Sequence, residues 1–365
     1  MFTRTLILGS IPFLACGLIV AAMAHSGAVV SSIEIEGRRI VVREAPELSL
    51  PPVPGSPVGY DCNSPLFWDD ETLYAFTSHE HPFRSSGTDL ENLRPIPTRV
   101  VFEDEDRVSA PGGRWIEAVH KATNGRLYMW YHNEPKGVVP GRPDATAPRI
   151  GQMVSDDEGL HWRDQGYILE ADRSTFDLES ANRYFVGGFG DFSVIADQAS
   201  KHLYILTSVY HRDVAKQGVA IARIALEDLD YPAGRVSLWN GRNWSPPGDS
   251  DDYAPIFPAE QSWHRYNSRV LWGPSIHWNE RIRSYVVVMN KASDAGFGQS
   301  GIYISLNFRL DDPTSWTTPV KLMDAAEWYP QVVGIDRASR GTDRLAADRA
   351  RLFLKGKSRW TIEFR

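Results

Sequence analysis

From Asn63 onward the chain alternates short apolar runs with polar turns, and the runs come in pairs. Asn63-Ser-Pro-Leu-Phe-Trp68 is followed by Leu73-Tyr-Ala-Phe-Thr-Ser78, and Ile116-Glu-Ala-Val-His120 by Leu127-Tyr-Met-Trp-Tyr-His132. Asp191-Phe-Ser-Val-Ile195 precedes Leu203-Tyr-Ile-Leu-Thr-Ser208, and Gly273-Pro-Ser-Ile-His277 precedes Tyr285-Val-Val-Val-Met-Asn290. Tyr329-Pro-Gln-Val-Val333 leads to Arg351-Leu-Phe-Leu-Lys355. Runs rich in aromatic and β-branched residues, separated by polar turns such as Asn124-Gly125, predict β-hairpins. Further strands follow at Arg99–Phe102, Tyr167–Leu169 and Val320–Met323, after segments with a shared Ser…Asp…apolar outline. Helical periodicity is nearly absent; Leu345–Ala350 comes closest to it.

Repeated units of about four short strands predict a β-propeller, in which each blade buries its faces against its neighbours. Five units fill the chain, so the expected fold is an all-β, five-bladed propeller. Its innermost strands should be residues 63–68, 116–120, 191–195, 273–277 and 329–333. The terminal strands, Ile33–Val42 and Trp360–Phe364, should close the ring by sharing a blade.

Composition narrows the function. The net charge is −7 and no long basic run occurs. Nucleic acid is therefore not an expected partner, because neutralising phosphates needs clustered positive charge. The apolar run Leu6–Ala24 behind Arg4, ending in Ala22-Met-Ala24, reads as a signal peptide over residues 1–24. Residues 25–365 then form one exported domain, secreted or periplasmic, with no membrane span after cleavage. Cleavage would remove Cys16 and leave Cys62 as a free thiol, so a large core must stabilise the fold without disulfides.

Gly190-Asp191-Phe-Ser-Val-Ile195 is similar to the blade openings of the five-bladed family 43 glycoside hydrolases, the arabinanases and xylosidases, with Phe where the family has Pro. Ser86 to Leu93 resembles that family's Ser-x-Asp-Leu-x-x-Trp turn, with one extra residue before Asp89 and Leu93 in place of Trp. Ser155-Asp-Asp157-Glu-Gly159-Leu-His-Trp162 matches the Asp-box of sialidases and other propellers, a structural turn away from the active face. The resemblance implies a carbohydrate substrate and hydrolysis of a glycosidic bond, which needs one carboxyl to protonate the leaving oxygen and a second opposite it.

Inner-strand openings converge on one channel, and three of them carry carboxylates: Asp61, Glu117 and Asp191. The family's trio, two Asp and one Glu, has the same composition. It implies Glu117 as general acid, Asp191 as its pKa modulator and Asp61 as base. Ser64 stands where alignment on Pro65 would put the first Asp, and Glu117 falls in an earlier repeat than the family's Glu. Trp115, Trp272 and Trp328 precede blade openings and are candidate sugar platforms, with His79, His81, His120 and His277 as candidate hydroxyl binders. No cofactor is expected; His79-x-His81 lacks an evident third metal ligand, and Ser250-Asp-Asp252 is an acidic turn that could hold Ca²⁺. A non-catalytic glycan-binding propeller and a phosphorylase or transglycosidase on the same scaffold are the alternatives.

Overall fold

The computed structural model describes residues 27–52, 60–79, 82–103, 112–199 and 201–365. The predicted signal peptide, Glu80 and His81 lie outside these residues. Among the described residues no helix is long and apolar enough to cross a membrane.

Five sheets, antiparallel apart from one short parallel pairing in each of two, form the blades of a propeller. Blade one holds Leu66–Asp69, Thr72–Phe76, Phe83–Gly87 and Arg94–Arg99. Blade two runs outward from Trp115–Lys121 through Leu127–Asn133, Arg149–Ser155 and His161–Leu169. Blade three begins at Phe189–Ala196, followed by His202–Val209 and Gly218–Ala225. Blade four begins at Val270–Asn279, followed by Ser284–Ala292, Gln299–Asn307 and Val320–Met323. Blade five joins the two ends of the chain: Pro330–Gly334, Arg349–Leu354 and Lys357–Phe364 pair onward to Arg38–Ser49 and Val29–Ile35. The expected ring closure is present in the register Ile40 to Phe364 and Val42 to Ile362.

Alternation along each strand sends one set of side chains toward each neighbouring blade, and a separate apolar cluster fills each gap. Phe67, Phe76, Met129 and Trp162 pack between blades one and two. Trp130, Phe192 and Ile205 pack between two and three, and Tyr204, Ile276 and Val287 between three and four. Ile40, Val288 and Leu352 fill the next gap, and Leu66, Leu73 and Phe353 the last. Five such interfaces supply the core of the fold, and Cys62, among the described residues, is a free thiol.

Two details differ from the sequence reading. Arg99–Phe102 is not one strand: Arg99 ends blade one, whereas Val101–Phe102 pairs in parallel with His161–Trp162 of blade two. Leu345–Ala350 holds no helix, because Leu345–Ala346 pairs with Trp278–Asn279 and Arg349 opens a strand of blade five. The Ser155–Trp162 turn lies at the foot of blade two, where Asp157 accepts the His161 N–H at 2.9 Å and Trp162 donates its indole N–H to the Gly159 carbonyl. Arg84 reaches the same turn, donating to the Glu158 carbonyl.

Candidate active site at the channel head

The inner strands begin irregularly. Register shifts fall at Glu117, at Asp191 and at Gly273-Pro274, each a bulge that turns one residue out of the ladder. Asp191 has φ 38°, Tyr329 57° and Cys62 94°, left-handed values that side chains with a Cβ rarely adopt. These distortions aim Cys62, Glu117, Asp191 and Tyr329 at one end of the channel. Below them the channel is packed: Gln331 Nε2 donates to the Ser64 carbonyl at 2.7 Å, and Asn63 Nδ2 donates to the Pro274 carbonyl at 3.2 Å.

Glu117 and Asp191, the two carboxylates expected from blades two and three, do meet. With Cys62 and His132 they form a buried tetrad in which one ligand atom from each residue lies within 4.8 Å of the others. Glu117 Oε2 accepts the Phe192 N–H at 2.9 Å. Its Oε1 lies 3.2 Å from His132 Nδ1 without hydrogen-bond alignment, and is otherwise unpartnered. Asp191 Oδ2 accepts the Tyr210 hydroxyl at 2.9 Å, and Oδ1 lies 3.6 Å from the Cys62 thiol. Burial pushes the Asp191 pKa up to about 7, with His132 opposing and Glu117 adding to the shift. Burial and the surrounding carboxylates push the Cys62 thiol well up.

His132 links this tetrad to the channel mouth. Its Nε2 lies 3.1 Å from Glu134 Oε1. Burial opposes charge on the ring, yet Glu117 and Glu134 raise its pKa well above the ordinary value. The Asp191 N–H nevertheless points at Nδ1 from 3.1 Å, an alignment that calls for a lone pair there. A proton on Nδ1 and that hydrogen bond exclude each other. The aligned arrangement is a lone pair on Nδ1 with the Nε2 proton facing Glu134.

The carboxylates that meet solvent are different ones. Asp61 is partly exposed and accepts the Tyr329 hydroxyl at 3.2 Å. Glu134 is also partly exposed, with a quarter of its side chain open. Burial and then Glu134 raise the Asp61 pKa, while Lys355 opposes them. The Glu117 side chain, by contrast, has no exposed surface.

The other predicted site residues divide by position. Trp115 stands edge-on to His132 at 5.9 Å, and Trp328 lies under Lys355; both are half-buried at the head. His79 follows Ser78, whose hydroxyl donates to the Asp61 carbonyl, so it belongs to the same end. Trp272 is buried between Trp263, Phe297 and Trp328, a wall residue with no face for a sugar. His120 and His277 do not join the site. At about 3.3 Å per residue, three or four steps carry them roughly 10–13 Å down their strands. His120 pairs with Tyr128 near the foot, and His277 is buried edge-on to Phe364. In the Ser250–Asp252 turn, Asp251 pairs with Lys216 and Asp252 accepts from Asn240.

His132, Glu134 and Tyr210 were missed. Hairpin geometry held the signal: the end of a second strand lies beside the start of the first, as in the pairing of His132 with Trp115 and of Val209 with Phe189.

No protein-family model and no curated protein matches this sequence. Solved structures do match the fold. A Bifidobacterium bifidum s17 protein named as an exo-β-1,3-galactanase aligns with TM-score 0.52 and 17% identity, over 87% of this chain and 90% of that one. A GH43 β-1,3-galactosidase with galactodeoxynojirimycin gives 0.51 and 14%, over 87% and 92%. An exo-β-1,3-galactanase from Clostridium thermocellum gives 0.50 and 13%, over 87% of this chain and 61% of that one. What is shared at these identities is architecture. The chain is a five-bladed propeller with a carboxylate-lined channel head.

Proposed function

We propose that this protein is an exported glycoside hydrolase whose acid–base pair is Asp61 and Glu134. The observation that carries the reading is a pair of partly exposed carboxylates flanking the buried tetrad: Glu134 contacts its His132, and Asp61 adjoins its Cys62 in the chain. Hydrolysis needs two such groups, and both must reach the glycosidic bond. The sequence assigned the acid to Glu117, but a carboxylate without exposed surface cannot touch a leaving oxygen. Glu134 takes that role at the mouth, where the His132 Nε2 N–H faces its Oε1 from 3.1 Å and orients it, and solvent restores the proton it gives away. Asp61 keeps the base's role, activating water opposite. Trp115 and Trp328 offer aromatic faces to a sugar ring. The names of the fold neighbours make β-1,3-linked galactose the first substrate to try.

The test is a screen of the purified protein against β-1,3-galactan and its oligosaccharides, aryl β-galactosides and arabinan. Release of reducing sugar is expected, and Asp61→Asn should abolish it. Saturable binding of an oligosaccharide without cleavage would replace the hydrolase with a glycan-binding propeller. Export rests on the apolar segment 6–24, and N-terminal sequencing of secreted material should begin near His25.

A further inference from the structure

Three members of the buried tetrad beneath the mouth, Cys62, Glu117 and Asp191, take no part in that chemistry. We propose that Cys62, Glu117, His132 and Asp191 form a binding site for a zinc-like transition-metal ion. The inference goes beyond the hydrolase reading and does not depend on it.

The donor set is the first support. A thiol, an imidazole and two carboxylates are the ligand types that zinc takes, and four is its usual number in a closed site. Spacing is the second. Zinc–sulfur bonds of about 2.3 Å and zinc–nitrogen or –oxygen bonds of about 2.0–2.1 Å give tetrahedron edges of roughly 3.5 Å for sulfur–oxygen and roughly 3.3 Å for nitrogen–oxygen. Cys62 Sγ to Asp191 Oδ1 is 3.6 Å, and His132 Nδ1 to Glu117 Oε1 is 3.2 Å. All four donor atoms lie within 4.8 Å of one another, so each remaining edge would close by no more than about 1.5 Å.

The third support is an orphan atom. Glu117 is 2% exposed, and its Oε1 points into the tetrad with no hydrogen bond. A buried carboxylate oxygen without a partner is costly, and a cation would satisfy it. The fourth is the outer layer. Ligating histidines commonly give their second ring N–H to a carboxylate, and His132 Nε2 faces Glu134 in that manner. Tyr210 does the same for Asp191.

Binding would form a metal–sulfur bond as the Cys62 S–H bond breaks, with that proton released to solvent. Nδ1 of His132 would exchange the Asp191 N–H for the metal. Metal uptake should therefore acidify a weakly buffered solution.

The experiment is a Co²⁺ titration of the full chain carrying Cys16→Ser, followed by near-ultraviolet absorption and by metal analysis. One equivalent should bind and give an intense thiolate-to-cobalt charge-transfer band, and added Zn²⁺ should bleach it. Cys62→Ser should remove the band, and Glu117→Gln should weaken binding by at least about 10-fold, the lower bound set by losing only an outer-layer partner. Thermal unfolding of each variant establishes that it is folded. Folded parent protein that takes up no cobalt overturns the proposal. So does binding whose spectrum lacks the thiolate band, or whose affinity is unchanged in folded Cys62→Ser.

Discussion

The two ends of the channel are both polar and buried, yet they are built on opposite principles. At the foot, charges cancel. Asp343 accepts the Leu66 N–H at 2.8 Å beside the guanidinium of Arg344, and Lys121 pairs with Asp69. At the head, among the described residues, Asp61, Glu117, Glu134 and Asp191 crowd around His132 and Lys355. The inner strands are regular toward the foot and bulged or left-handed at the head. Uncompensated negative charge on strained backbone is what a site for a cation or a reacting proton requires, and a structural plug does not need it.

The largest effect on stability should come from breaking the balanced end. Arg344→Met leaves Asp343 buried without its neighbouring charge. Unfolding free energy should fall by about 1–3 kcal/mol, the cost of a buried polar group that loses its compensation. Denaturant unfolding checks this.

Acid should come next. Burial lowers the pKa of His277 to about 3, and burial with Arg344 lowers that of His120 to about 4, against an ordinary 6.5. Both are neutral in the folded protein and take up protons more readily when unfolded. Stability should therefore be full above pH 6.5 and fall below it, by up to about 1.4 kcal/mol per pH unit for each histidine, until the folded pKa is passed. His277→Phe should flatten the profile of unfolding midpoint against pH; an unchanged slope would remove His277 from the account.

The smallest effect belongs to the head. Asp191→Asn keeps an acceptor for Tyr210 and relieves repulsion from Glu117, so stability should change by less than about 1 kcal/mol. A loss as large as that of Arg344→Met would make the two ends equivalent and erase the distinction.

The fold was legible because five hairpins with one grammar have few other arrangements, and each predicted inner strand overlaps the observed one. The depth of a residue in the channel was less legible. Asp61, Glu117 and Asp191 were found as strand openings, but exposure depends on what neighbouring blades lay across them. Glu117 is capped by the Phe192 N–H and His132, whereas Asp61 remains open. Trp272 illustrates the same limit: its position at an opening was correct, and Trp263 and Phe297 cover its faces. Glu134 lies one residue past the end of a second strand, Leu127–Asn133, where reading only strand openings does not look.

The central claim is that the open carboxylates at the head, Asp61 and Glu134, perform the chemistry. The direct measurement is kcat on a β-1,3-galacto-oligosaccharide for the parent chain and for Glu134→Gln. General acid catalysis is commonly worth about 10²–10⁴-fold, so kcat should fall by that factor. An aryl galactoside, with a leaving group that needs little protonation, should lose much less. A Glu134→Gln variant that hydrolyses the oligosaccharide at the parent rate would contradict the account.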